Sequence, residues 1–208
     1  ICPNGIPDTT GGKEPTAERH NKIPHLLFLS NLLVSKGVIV LLDALKIIKD
    51  QGYSFVCDFV GGETAEIDAT RFKEEVEKRG LNQLVVYNGQ KYGKDKELYF
   101  KNADIFVFPT YYPNECFPLV LLEAMQQGLP CISTKEGGIT SIIDNGKTGL
   151  LVNRQDADYL ADKIAWMIEH PKERKEMGRK GIERYKILFT IEKFEKSINS
   201  IIQQKSRP

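Results

Sequence analysis

The chain has 208 residues, 41% hydrophobic and 27% charged, the composition of a soluble globular protein able to bury a sizeable core. Its 29 Lys and Arg against 28 Asp and Glu leave a net charge of +1, so no overall basic field is available to hold nucleic acid. No apolar run approaches the roughly 18 residues of a membrane-spanning helix. Four cysteines (Cys2, Cys57, Cys116, Cys131) show no CxxC spacing and only three His accompany them, which argues against a zinc site or disulfide scaffold and for a reducing cytoplasm.

In chain order, Ile1–Pro7 has no initiator Met and resembles neither a signal nor a transit peptide, so the chain reads as entered midway. Asp8–Asn21 is rich in Thr, Gly, Glu and Lys without an apolar period. Residues 1–24 are therefore expected to form a connector and mobile loop. From His25 onward one pattern repeats: a short apolar run, a turn with Gly or Pro, then a helical stretch. The runs are Leu26–Ser30, Phe55–Val60, Leu84–Tyr87, Ile105–Phe108, Pro130–Ser133 and Gly149–Val152, each too short for a helix and rich in Val, Ile, Leu and Phe, as strands buried on both faces are. Helices are expected near 38–50, 66–79, 94–102, 118–127, 139–144 and 156–169, followed by two more at 171–186 and 190–203. Pro118 near the start of one and Gly128-Leu129-Pro130 at its end mark that helix most clearly. The alternation predicts a doubly wound, parallel, six-stranded Rossmann-like α/β sheet with two extra C-terminal helices.

Such a sheet binds ligands beyond the carboxyl ends of its strands, where helix N-termini offer unpaired N–H groups. The loops there carry the chemistry. Glu115 stands in a strand-to-helix loop and Glu123 in the helix that follows, which is apolar nearly all round and therefore expected to be buried. A buried Glu123 needs partners; a neighbouring backbone or basic group is one account, and a ligand is the other. Eight residues span at most about 12 Å of helix axis, so the two carboxylates could hold the ends of one extended ligand. The N–H groups of Phe117, Leu119 and Val120, with Pro118 setting the helix start among them, would then lie between them for an anion. Lys36 closes the first such loop, either as a solvated lysine or as a cation beside a diphosphate. Gly137-Gly138 is either a tight turn or a close approach to phosphate. Asn88-Gly89 is either a turn or a backbone contact with a base.

Other motifs are set aside. No GxGxxG follows the first strand, which removes the main support for dinucleotide redox chemistry. Gly146-Lys147-Thr148 precedes a strand and is expected to be a turn. Asp156-Ala157-Asp158 opens a helix, where acidic residues cap and complement the dipole, so no metal site is expected there. Cys116 has no His near in sequence to activate it. Residues 171–208 hold 11 basic against 5 acidic groups, +6, leaving 1–170 at −5. The basic helices read as a solvated face, with contact to anionic lipid as the alternative.

Together these residues resemble glycosyltransferase family four, retaining transferases of the two-Rossmann-domain GT-B architecture. The resemblance rests on Glu115-x7-Glu123, Phe117-Pro118, Glu123-Ala124-Met125, Ala103-Asp104 with the following apolar run to Pro109, Gly128-Leu129-Pro130, Gly137-Gly138 and Thr148-Gly149-Leu150-Leu151-Val152, in order from about residue 25 to residue 203. It implies a C-terminal, donor-binding half (25–189), with 190–208 a crossover helix and tail and an acceptor-binding N-terminal domain outside the chain. It further implies that Glu123 binds ribose hydroxyls, Glu115 holds donor-sugar hydroxyls, and Lys36 neutralises the leaving diphosphate of a UDP- or GDP-sugar. Phe117–Val120 and Gly137-Gly138 would meet phosphate or sugar, and the loop at Asn88 the base. Two positions depart: Asn31 where the family usually has Arg, and Ser141 where it often has Glu.

The activity implied is hexosyl transfer from a nucleotide-diphosphate sugar to a carbohydrate or lipid-linked acceptor with retention, without a cofactor or metal, in the cytoplasm or at the inner face of the membrane. Two rivals stand beside it. One is a non-catalytic nucleotide-sugar-binding module, motivated by Asn31; the other is an epimerase or phosphorylase of similar architecture.

Overall fold

A computed structural model of the chain describes residues 3–10 and 22–205. Six strands, His25–Leu29 (β1), Val56–Val60 (β2), Val85–Tyr87 (β3), Ile105–Phe108 (β4), Cys131–Thr134 (β5) and Gly149–Val152 (β6), form one parallel sheet in the order β3-β2-β1-β4-β5-β6. Every residue of β4 and β5 is buried, as parallel strands covered on both faces require.

The crossover helices are Val38–Asp50 (α1), Ala69–Lys78 (α2), Gly93–Asn102 (α3), Leu119–Gln126 (α4) and the single turn Ile139–Ile142 (α5); Ala157–Glu169 (α6), Pro171–Leu188 (α7) and Ile191–Lys205 (α8) follow the last strand. From β1 the chain winds outward through β2 and β3, and from β4 it winds the opposite way through β5 and β6. Right-handed crossovers then place the helices of the two halves on opposite faces. α1 packs on α6, and α4 on α7. The six-stranded doubly wound sheet expected from the sequence is the one observed. A line of aromatic rings ties the first half of its core together, with Phe28–Phe59 centroids 5.0 Å apart and Phe59–Phe72 4.9 Å apart.

Three differences from the sequence expectation have local causes. The helix expected from residue 66 starts at Ala69, because Thr64 Oγ1 accepts from the Glu66 and Ile67 N–H groups and Asp68 then caps the helix through Arg71 N–H at 2.8 Å. The helix expected over 139–144 is only one turn, since Ile143 is already extended. Most relevant to function, α4 is not buried all round. Leu119 is 44% exposed and the Glu123 side chain 30% exposed, while Leu121, Leu122, Ala124 and Met125 form its buried side.

At the amino end, Pro3–Thr10 runs across α4 and α7 as a strap: Ile6 N–H donates to Phe189 O at 3.0 Å, and Ile6 bridges Thr190. Residues 11–21, most of the loop expected to be mobile, lie outside the described residues.

Candidate functional site

β1 and β4 are neighbours whose crossovers leave in opposite directions, so a crevice opens beyond their carboxyl ends. Lys36 reaches it from the single 3-10 turn Val34–Lys36. Gly37 makes that possible: its φ is +87°, and a Cβ there would sit 2.3 Å from Pro109 O. The β1 loop can thus lie directly against the β4 loop, and Lys36 crosses between them. Its Nζ lies 2.6 Å from Glu115 Oε2, which also accepts from Thr110 Oγ1 at 3.2 Å. The ammonium stands 4.4 Å from the Tyr112 ring centroid and 5.6 Å from that of Phe108. With the Lys36 and Glu115 side chains only 16% and 9% exposed, removal of either partner would strand a charge with little water, which typically costs about 3–5 kcal/mol.

The Glu115 loop is seated by Gly137-Gly138. Gly137 has φ +45°, and a Cβ on it would lie 1.5 Å from Glu115 O. Gly138 N–H donates to Cys116 O at 2.7 Å. The close approach made by the glycine pair is thus to the Glu115-Cys116 backbone and, from Gly138, to the Phe117 ring, and the Gly138 N–H is already engaged there.

On the next turn of α4 a second acid–base couple forms: Lys96 Nζ from α3 lies 2.6 Å from Glu123 Oε1, both side chains about a quarter to a third exposed. They border a cavity of about 340 Å³ whose walls include Ile6 and Pro7 of the strap, Phe100 of α3, and Leu119 and Gln126 of α4. Glu115 is not in that wall. The structure therefore gives each carboxylate its own lysine, and of the two only Glu123 borders this cavity. Between them the start of α4 leaves the Leu119 and Val120 N–H groups without helical acceptors, as the first turn of any helix does. Pro118 is the buried N-cap, and the Phe117 ring turns away to pack edge-on against Phe189, centroids 6.0 Å apart.

The remaining predicted residues serve neighbouring loops. Asn31 Oδ1 accepts from Gly62 N–H at 3.2 Å, and Asn88 Nδ2 donates to Asp58 Oδ1 at 2.8 Å. Gly146-Lys147-Thr148 is a turn closed on Asp144, as expected. Asp156 is the N-cap of α6, accepting from Tyr159 N–H at 2.9 Å. Burial raises the Cys57 thiol well above its ordinary range, with Asp58 adding to the effect, and burial does the same for Cys131; both are poor nucleophiles. Among the described residues no group of three or more His, Cys, Asp or Glu is placed to hold a metal ion, and no helix is long and apolar enough to cross a membrane.

Sequence reasoning missed Lys96, Thr110 and Tyr112 as members of the site. It also missed Glu136, buried behind the glycine pair, where Arg154 Nε forms an ion pair with Oε1 outside hydrogen-bond alignment. Thr110 meets Glu115 only five residues on, but within an irregular loop whose spacing does not announce the contact; the partners of the others lie further away in sequence.

The fold and crevice together define an open doubly wound α/β protein whose ligand edge carries two lysine–carboxylate couples flanking a helix N-terminus. The chain belongs to the glycosyl transferases group 1 family, whose model matches residues 13–184. It is 32% identical to the D-rhamnosyltransferase WbpZ of Pseudomonas aeruginosa over 79% of this chain and 41% of that protein. The C-terminal domain of the group 1 protein LpcC of Francisella tularensis superposes with a TM-score of 0.71 at 22% identity, over 86% of this chain and 94% of that one. Anabaena HepE, solved with UDP and glucose, superposes with a TM-score of 0.77 at 20% identity, over 87% of this chain and 48% of that one. The chain thus spans about two fifths of WbpZ and nearly all of the LpcC domain.

Proposed function

We propose that the chain is the donor-binding half of a retaining, two-domain transferase of glycosyltransferase family four, moving a hexosyl group from a nucleotide-diphosphate sugar to a carbohydrate or lipid-linked acceptor. The observation that carries this reading is the pair of couples, Lys36–Glu115 and Lys96–Glu123, set either side of the α4 N-terminus in a group 1 chain. Glu123 accepts hydrogen bonds from ribose hydroxyls. The diphosphate lies over the Leu119 and Val120 N–H groups, where the helix dipole favours an anion. Lys36 then shares its ammonium between Glu115 and the diphosphate oxygens, while Glu115 accepts from hydroxyls of the sugar.

As the glycosidic bond breaks, charge grows on the departing diphosphate. Lys36 and the helix N-terminus stabilise it without metal or cofactor. Asn31, which replaces the family's arginine, leaves that stabilisation to these two features. The partners are a UDP- or GDP-sugar, the acceptor, and the acceptor-binding domain that precedes the strap in a GT-B protein; the site is cytoplasmic. The spans of WbpZ and the LpcC domain covered by the chain support the half-protein reading, and the ligands of HepE choose UDP as the first probe.

A thermal-shift panel of UDP-, GDP- and ADP-sugars on wild type and Glu123→Ala tests the proposal. A donor at 100 times its Kd stabilises the fold by about 2.7 kcal/mol, roughly 5–10 °C for a chain of this size. Wild type should shift with one nucleotide class and Glu123→Ala should not. No shift with any donor, or equal shifts in both proteins, refutes it.

A further inference from the structure

Gln126 lies one turn beyond Glu123 on α4, is only 3% exposed, and lines the same cavity. An apolar residue would fill so buried a helix position at no desolvation cost. Gln126 instead spends its amide on the strap and on the helix that holds the strap. Its Nε2 donates to Pro7 O at 2.9 Å and to Tyr185 OH at 2.7 Å. Its Oε1 accepts from Thr9 Oγ1 at 2.6 Å and Thr9 N–H at 3.3 Å. Tyr185 completes the circuit by donating to Ile6 O at 2.9 Å. A polar network centred on a buried amide and a buried hydroxyl fixes one arrangement sharply, because displacing a partner leaves a group of the buried pair unpaired. The arrangement fixed here is the register of Ile6–Thr9, and Ile6, Pro7 and Thr9 all stand in the cavity wall with Lys96 and Glu123.

We propose that Gln126 is a positioning residue: with Tyr185 it clamps the strap as a wall of the cleft beside Glu123, so that strap seating and nucleotide affinity are one equilibrium. The inference rests on the donor reading of Glu123. When the clamp is cut, the strap leaves its seat part of the time, and the apparent Kd rises in inverse proportion to the seated fraction.

The test uses the 208-residue chain with UDP and GDP as probes, calorimetry for Kd, and amide hydrogen exchange for Ile6 and Thr9, whose N–H groups donate to Phe189 O and Gln126 Oε1. Gln126→Met keeps the bulk and removes the hydrogen bonds. It should weaken the nucleotide about fivefold, as a strap seated a fifth of the time would, and speed exchange of those amides. Thr9→Val, at an exposed position that leaves the core intact, should move both readouts in the same direction by less. The double variant should match Gln126→Met, since both cut one network. Ile164→Val in α6, remote from the strap, serves as a control for stability loss and should bind like wild type.

Affinity of Gln126→Met within twofold of wild type, or a weakening that Ile164→Val reproduces, overturns the inference. If Gln126→Met does not fold, Thr9→Val and Tyr185→Phe carry the same comparison. Wild type that binds neither nucleotide overturns the donor reading and this inference with it. Wild type that binds and is weakened by Glu123→Ala but not by strap variants overturns the inference alone.

Discussion

Gly137→Ala isolates the physical reason for the glycine pair. A side chain at φ +45° costs roughly 1 kcal/mol relative to Gly. The steric cost is greater: the new methyl carbon would stand 1.5 Å from Glu115 O, where real contacts begin near 3.0 Å. The Glu115 backbone must retreat by about 1.5 Å, half a hydrogen-bond length, and the 2.6 Å bond to Lys36 cannot follow. Forcing such a shift in packed structure costs typically 1–3 kcal/mol, for a total of roughly 2–4 kcal/mol. Gly146→Ala supplies the control, because Gly146 has φ +78° with nothing within 4 Å of its Cβ position. That variant bears only the cost of the left-handed backbone. Urea unfolding of the two variants and wild type should show Gly137→Ala losing at least twice as much stability as Gly146→Ala, with unchanged m-values. Equal losses would mean that the 115–117 loop yields without cost and that the glycine pair does not seat it.

Two further outcomes follow from titrating or capping groups. Burial raises the Tyr185 hydroxyl above the usual 10.0, opposed by the hydrogen bond from Gln126, with Asp8 and Glu192 raising it further. The unfolded tyrosine ionises first, so this contribution to stability is complete below pH 10 and is lost as pH rises through the folded value; between pH 8 and 11 the melting temperature of wild type should fall more steeply than that of Tyr185→Phe, and parallel curves would refute the assignment. Asp156 is held below the usual carboxylate range by its hydrogen bond from Asn153 and then by Tyr159 N–H. Asp156→Ala should therefore lower the melting temperature near pH 7 more than Asp158→Ala does, and the gap should close as the pH falls through the folded value of Asp156.

The sheet was legible because the central strands β1 and β4 are covered on both faces and therefore spell apolar runs, Leu26–Leu29 and Ile105–Phe108. The start of α4 was legible too, since Pro118 fits only where no helical N–H is needed. What the helix faces was not. Leu119 looks like core yet borders the cleft, because an apolar residue at a ligand edge has no local mark separating it from a packed one. The partners of the two glutamates were equally hidden. Lys36 and Glu115 are 79 residues apart and Lys96 and Glu123 are 27 apart, distances that only the winding of the sheet closes. The strap was hard to read from the sequence because most of its attachment is made by backbone groups of Ile6, Pro7 and Thr9, which carry no residue-specific mark, and only the Thr9 hydroxyl adds a side-chain bond.

The registered pairing of β1 with β4 has one further consequence. It ends at Leu27–Phe106, while β1 stays paired to β2 as far as Leu29–Val60 and β4 to β5 as far as Phe108–Ser133. The two three-strand wings therefore part company before their tips, and the notch between them is cut by topology. No side chain lining the notch is needed to keep it open. Its rim can be rewritten for a different cargo while the frame beneath keeps its shape.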